Sequence, residues 1–506
     1  MERHPRRWLI LAVLCLSTIV LVIDNFALNV AVPTLARDLK ASAQDIQWIL
    51  DAYILVFAGL LLTAGSLSDR YGRRRVMLIG LVVFGAASLA AAFAAGPGQL
   101  IAGRVLMGVG GALVMPSTLS ILITVFDDAE RRKATSIWGM VTVAGLVGGP
   151  VGGGLLVDRF SWEAVFWLNV PVVAAAIVAG LAWMPESRGP WRRPDPVGAV
   201  LSVAGMTALV WAIIELPVKG LADPGTLTAT GVAVVGLAAF VAWEARTPSP
   251  MVPLGLFRER NFSGGSLSLV LVEVASGGLL LTVTQYLQFV LGYSAMQTGL
   301  VLVPMALGLI VASSLAATLG QRLGNRPLAA AGLVVVAGGF GLLATLSPGD
   351  GLALVATALT LFGVGGGLAQ PAAIAALMGA VPKEHAGVGS ALNDTVQQAG
   401  AALGVAVLGS VLASTFTRAM PAWAPQAARH SIAQALRVAA GTGDAGLAKA
   451  ARDAFTTAMS VTSLAGAGAV LAAAVLALLV LRDRKPTPAE ATGAKEEATV
   501  AATANR

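Results

Sequence analysis

Charge is what this 506-residue chain has least of: Asp, Glu, Lys and Arg make up 12% of it, against 56% hydrophobic residues. Soluble domains carry about 25% charged residues, so an ordinary water-facing globular surface is excluded. Cysteine is rarer still. The single thiol, Cys15, excludes an intramolecular disulfide and leaves the redox compartment unspecified. The three histidines, His4, His385 and His430, fall in loops or tails, too scattered to assemble a metal cluster. No G-x-x-x-x-G-K-[ST] loop is present, which argues against ATP as a direct energy source. No cofactor is expected. The net charge of +7 does not point to nucleic acid, because the basic residues gather in short clusters at helix ends rather than along a stripe.

What is abundant is apolar sequence in runs of roughly 20 residues, the length that spans a hydrocarbon core about 30 Å thick. The fold class is all-α integral membrane. Fourteen spans are predicted, at about 9–32, 47–67, 76–95, 99–123, 135–157, 164–184, 197–217, 226–244, 263–286, 297–319, 328–346, 352–377, 387–412 and 459–481. The basic start, "MERHPRRWLILAVLCL", lacks a small-residue cleavage site and is expected to stay as the first helix. An even number of spans puts both termini on one side. With the termini inside, inner segments hold 24 Lys and Arg and outer ones nine, which predicts cytoplasmic termini. One segment resists: the expected outer loop 413–458 holds five of the nine, in a pattern ("QAARHSIAQALRVAA") that suggests surface helices. Residues 483–506 read as a disordered cytoplasmic tail. The Ala/Gly/Val/Arg-rich composition suggests a GC-rich, antibiotic-producing bacterium, and the expected location is the bacterial inner (cytoplasmic) membrane.

Two stretches recur in order. "LSDRYGRR" (67–74) matches "LGQRLGNR" (319–326) at an offset of 252, and "GVGGALVMP" (108–116) matches "GVGGGLAQP" (363–371) at 255. Gly145 and Gly149 fall on Gly400 and Gly404 at the same 255. Two related six-helix halves follow, with substrate expected between them near mid-membrane. The expected division is an N-terminal half (1–190), an inserted two-helix linker (191–250), a C-terminal half (251–482) and the tail.

Inside the spans, polar side chains carry the information. Asp24 interrupts "LSTIVLVIDNFALNVAVPTL", where a mid-bilayer carboxylate costs about 2.5–3.5 kcal/mol. Ser17, Thr18, Leu21, Asn25, Leu28 and Asn29 share a helical stripe with it, expected to line a cavity. Burial disfavours an ionised carboxyl, so such a group can exchange a proton near neutral pH; a structural hydrogen bond is the plainer alternative. Arg104 is the one base within a span, placed near its inner third, with the reverse reading of depth moving it outward. It holds fixed charge and does not deprotonate. Glu273 and Asp394 are expected as further cavity carboxylates, with Asn393 and Gln397 beside the latter and Asp51 at a cavity mouth. With no histidine in a span, any proton crossing must use these acids.

The fifth span contains "GLVGGPVGGG", where Gly145, Gly149 and Pro150 permit either close helix packing or a hinge. The loop "GSLSDRYGRRR" between spans two and three holds Gly65, Asp69 and Gly72, which positive-inside charge alone does not call for.

These motifs resemble those of the major facilitator superfamily. Gly65, Leu67, Asp69, Arg70, Gly72, Arg73 and Arg74 fit its loop pattern G-x-L-x-D-R-x-G-R-[RK]-[RK]. The fifth-span run is similar to the signature of its exporters, and "RVLMGVGGA" to its fourth-helix R-x-x-q-G, with Met107 in place of the polar residue. "VIDNFALNVAVP" is similar to the first-helix motif of the fourteen-helix drug/proton antiporters, matching at Asp24, Asn29, Ala31 and Pro33. The resemblance implies proton-driven export of hydrophobic, often cationic, drugs or antibiotics by a monomer in the lipid bilayer. It implies a coupling role for Asp24 and Arg104, and a switching role for Asp69 and its loop. It departs at Gln321, where the second half lacks the loop acid. A dedicated exporter of one self-made antibiotic is the alternative; an uptake symporter or a non-transporting sensor fits less well.

Overall fold

The computed structural model describes residues 6–189, 195–248, 250, 252–347, 352–381 and 386–481. The expected tail at 483–506 lies outside the described residues. Among the described residues, fourteen helices have 20 or more residues: α1 (Arg7–Asp38), α2 (Ala43–Tyr71), α3 (Arg73–Ala92), α4 (Pro97–Val125), α5 (Asp128–Arg159), α6 (Glu163–Trp183), α7 (Pro196–Lys219), α8 (Pro224–Glu244), α9 (Arg260–Gln285), α10 (Ala295–Leu323), α11 (Asn325–Ala344), α12 (Leu352–Gly379), α13 (Ala386–Ala419) and α15 (Ala445–Val480). Among the described residues, 13 helices have the length and apolar character to cross a membrane. The fourteenth long helix is α5, which opens on the charged "DAERRK". α14 (Ile432–Thr442) is a short amphipathic helix between α13 and α15.

Local chemistry writes the boundaries. Ser42 and Asp45 form a capping box at the start of α2, and Ser294 and Gln297 do the same for α10. Asp195-Pro196 and Asp223-Pro224 open α7 and α8 with a capping acid followed by a proline at the first helical position. Gly72 breaks α2 from α3 at φ 111°, and Gly324 breaks α10 from α11 at φ 90°. Other residues are strained there, so the matched glycines stop two long helices at equivalent places.

The last loop is a correction. The expected outer segment 413–458 shrinks to residues 420–444, because α13 continues to Ala419 and α15 begins at Ala445. Arg418, Lys449 and Arg452 therefore sit on helix rather than in a loop. Hydropathy marks only the apolar part of a helix, and these two outrun it.

The halves repeat in their packing. α3 lies on α4 as α11 lies on α12, α1 on α5 as α9 on α13, and α3 on α6 as α11 on α15. Glycines permit the closest of these contacts. A Cβ at Gly110 would fall 2.6 Å from the Phe84 nitrogen and 2.8 Å from the Gly80 carbonyl oxygen; at Gly365 it would fall 2.6 Å from the Val336 nitrogen and 2.5 Å from the Gly332 carbonyl oxygen. Without a hydrophobic driving force between helices in lipid, such close approach is what makes packing favourable. The halves meet each other along two seams, α2 against α13 and α5 against α10. The inserted hairpin α7–α8 backs one seam: α7 packs on both α2 and α13, with Trp211 edge-on to Trp48 at 6.0 Å and Ser410 donating to the Ile213 carbonyl at 2.9 Å.

Gly110→Val is therefore expected to lower the melting temperature of the detergent-purified protein by several degrees. Gly139→Ala, where a Cβ meets nothing within 4 Å, should leave it unchanged.

Candidate functional site: a buried ion pair beside a central cavity

Asp24 sits past the midpoint of α1 and is fully buried, as is Arg104 at 1% exposure. Their side chains meet: Arg104 Nη1 is 2.5 Å from Asp24 Oδ2. The second carboxylate oxygen accepts a bond of 2.9 Å from Asn169 Nδ2 on α6. Asn169 also donates to Ser88 Oγ at 3.0 Å, and Ser88 donates to the Phe166 carbonyl at 2.9 Å. Arg104 Nε donates to the Ile49 carbonyl at 3.2 Å, and its guanidinium lies 4.4 Å from the centre of the Tyr53 ring. Five helices, α1, α2, α3, α4 and α6, are thus tied to one charge pair. A buried charge is tolerated only when paired and hydrogen-bonded in this way.

Arg104 lies in the second turn of α4, at the end of the bundle away from the termini. The expected inner-third position is thereby corrected: α4 starts at Pro97 and enters from the far end. The expected single stripe on α1 also divides. Ser17, Thr18 and Asp24 turn into the first half and are fully buried, whereas Leu21, Asn25 and Asn29 line a cavity. A helical face more than 100° wide meets two neighbours, and spacing alone does not say where one ends.

The cavity lies between the halves, with a volume of about 550 Å³, in the range of small-molecule sites. Its walls are largely apolar, with Phe26, Phe57, Met115, Met305 and Phe362 among them. Its charged groups divide by half. Arg104 faces it from the first; Glu273 and Asp394 face it from the second. Gln370 Nε2 donates to Glu273 at 2.5 Å and to Gln397 Oε1 at 3.3 Å. Asn393 donates to Asp394 Oδ1 at 3.0 Å, although Asn393 itself is buried off the cavity wall.

Asp51 does not lie at a cavity mouth. It is fully buried, one turn beyond Gln47, whose side chain reaches the Val405 and Ala406 carbonyls of α13. Neither carboxylate oxygen of Asp51 has a hydrogen-bond partner among the described residues. The expected mouth position followed from nearby Trp48 and Tyr53, but α7 covers that surface.

The loop residues gather at the other end. Asp69 pairs with Arg73 at 2.8 Å, and Arg73 Nη1 donates to the Ser120 carbonyl at the end of α4 at 3.2 Å. The Glu186 carboxylate accepts from the Arg74 and Arg75 backbone N–H groups at 3.1 and 3.2 Å, clamping the start of α3. Arg70 is exposed over the Tyr71 ring, and a Cβ at Gly65 would meet only Pro116, at 3.7 Å. In α5, Gly145, Gly149 and Gly153 face Val22, Phe26 and Ala27 of α1. α5 remains helical through Pro150, so packing accounts for these glycines here.

Asn169, Ser88 and Gln370 were missed from sequence. A signal existed for Asn169, a lone amide in an apolar span, and for Gln370, which stands in the second copy of the repeat where the first has Met115.

Two matched sets of membrane-length helices around an apolar cavity with a few converging charges define a membrane transporter rather than an enzyme. The chain belongs to the Major Facilitator Superfamily, whose family model matches residues 14–405. It is 36% identical over 492 residues to the multidrug efflux pump LfrA of Mycolicibacterium smegmatis, covering 95% of this chain and 97% of that protein. It is 35% identical to the tetracenomycin C resistance and export protein of Streptomyces glaucescens, covering 81% and 76%. Among solved structures it resembles the inward-facing, unoccupied bacterial homologue of the lysosomal transporter Spinster, with a TM-score of 0.67, 16% identity, and coverage of 95% and 99%.

Removing one partner of a buried pair costs about 3–5 kcal/mol, because the other charge is left uncompensated. Arg104→Met should therefore strongly reduce the yield and melting temperature of the purified protein. The double variant Asp24→Asn/Arg104→Met should recover much of that loss, measured as a double-mutant cycle.

Proposed function

We propose that the protein is a proton-coupled exporter of hydrophobic, cationic drugs or antibiotics. The observation that carries this reading is the buried Asp24–Arg104 pair, whose base faces the cavity while its acid faces away. With Asp24 ionised, the pair is neutral overall, and Glu273 and Asp394 leave the cavity favourable to a cation. When Asp24 takes up a proton, Arg104 keeps its charge without compensation at the cavity wall and repels a bound cation. Proton and drug then prefer different forms of the same site, which is the condition for exchange, since a ligand shifts an equilibrium only by differential affinity.

In this reading the end bearing the termini is cytoplasmic, as the charge distribution favours, and the membrane is the bacterial inner membrane. Drug enters from the cytoplasmic side, and protons enter from outside. Residues 1–190 and 251–482 move as two units, 191–250 serve as the linker, and a monomer suffices. The clamp of Asp69, Arg73 and Glu186 holds the cytoplasmic loop, with Arg70, Gly65 and Gly72 in the same switch, and Gly145, Gly149 and Pro150 set the α5 packing that shifts with it. Asn25, Asn29 and Gln397 supply neutral polar contacts to the drug, and Asn393 and Asp51 act behind the wall. The S. glaucescens relative favours a second reading, export of a single antibiotic. A susceptibility profile across many compounds separates the two: one affected compound supports the dedicated exporter, several unrelated ones the multidrug pump.

Asp24→Asn, which also leaves Arg104 without its partner and so should lower the yield, is expected to abolish drug transport driven by an imposed proton gradient in inverted vesicles holding matched amounts of the protein. Undiminished pumping by that variant would sink the coupling assignment. Glu273→Gln should weaken binding of a monovalent cationic dye such as ethidium about tenfold, the lower end of the net contribution of a contact to a charged group, with a smaller effect on a neutral dye.

A further inference from the structure

At the end of the bundle away from the termini, three polar contacts among the described residues join one half to the other. Two are neutral: Gln47 to the Val405 and Ala406 carbonyls at 3.2 and 3.4 Å, and Gln288 Nε2 to the Val30 carbonyl at 2.8 Å. The third is charged. Asp158, in the last turn of α5, accepts the backbone N–H of Ala295 on Oδ1 at 3.0 Å and that of Met296 on Oδ2 at 2.9 Å. These are the first two N–H groups of α10, which begins at Ala295 in the other half.

The N-terminus of α10 is thus capped by two chains of contact at once. Its own Ser294 satisfies the Gln297 N–H at 3.2 Å. The two N–H groups that a local cap does not reach are satisfied from across the seam. A carboxylate placed there gains from both hydrogen bonds and the helix dipole. The backbones are close enough to hold it in register: a Cβ at Gly154, one turn before Asp158, would run into Ala295 and Met296, and one at Gly299 into Pro150 and Val151.

We infer that Asp158 is a latch for this end of the transporter, holding the halves closed here and setting the ratio of the two access states. Two features suit a latch rather than a permanent tether. Asp158 is exposed, and Met296 is 36% exposed. When the seam opens, water replaces each partner, so release leaves no buried donor or acceptor unsatisfied. The glycine contacts beside it, by contrast, bring no bond that water must replace and supply only fit. The inference rests on the chain being an alternating-access transporter. It does not depend on what is carried or on whether protons drive it.

The test reads conformation directly. In a Cys15→Ser background, Phe93→Cys at the end of α3 and Trp423→Cys beyond α13 place nitroxide labels on exposed positions of the two halves at this end. Pulsed dipolar spectroscopy of the purified protein in lipid nanodiscs then gives the distance distribution. Asp158→Ala is expected to shift the ratio of long to short distances about tenfold toward the long, open population, the scale of charge-assisted bonds at a partly exposed site. Asp158→Asn keeps the shape and one acceptor but not the charge, so it should shift the ratio part of the way, and it carries the test if the alanine variant does not fold. Arg159→Ala, the exposed neighbour, should not shift it. An unchanged distribution in folded Asp158→Ala or Asp158→Asn would overturn the latch, whatever the drug or proton fluxes of those variants.

Discussion

A carboxylate and a guanidinium 2.5 Å apart, both out of reach of solvent, impose the first condition on this molecule. Either charge is costly alone in such surroundings. α1 and α4 must therefore present them to each other, α6 must bring Asn169 to the remaining oxygen, and α3 must bring Ser88 to Asn169. The first half is organised around a requirement for neutrality. The second half repeats the helix pairing without repeating this pair: at the offset of 255 the residue that corresponds to Arg104 is Leu359. Its acids face the open cavity instead.

That asymmetry gives the cavity its character. One wall carries a fixed positive group whose effective charge depends on a hidden partner. The other carries Glu273 held by Gln370, and Asp394 held by Asn393. The apolar area between them suits a greasy ligand, and the two walls differ in the sign of the charge they carry.

Much of this was legible in one dimension. Helices of about 20 apolar residues announce themselves by length, and the repeat was visible because glycine and arginine recur at fixed offsets. Asp24 and Arg104 stood out because charge in a span is expensive. What sequence did not supply was the partner of each face. Asp24 shares a stripe with Asn25 and Asn29, yet one side of that stripe meets α4 and α6 while the other meets the cavity. Asp51 sat beside aromatic residues typical of an interface, and only the placement of α7 shows it to be interior. Helix ends failed for a related reason: α13 and α15 continue past the apolar zone that hydropathy detects.

The hairpin α7–α8 has a geometric outcome of its own. The chain is built on doubled architecture, and a pair of equal halves would show the bilayer two equal seams. Here α7 lies along the α2–α13 seam and leaves the α5–α10 seam without a counterpart. Acyl chains circling the protein meet the hairpin, with Trp211 and Trp243 exposed, on one flank and the uncovered α5–α10 joint on the other. The inner symmetry of the fold is therefore hidden from the lipid, and the molecule has a front and a back in the plane of the membrane.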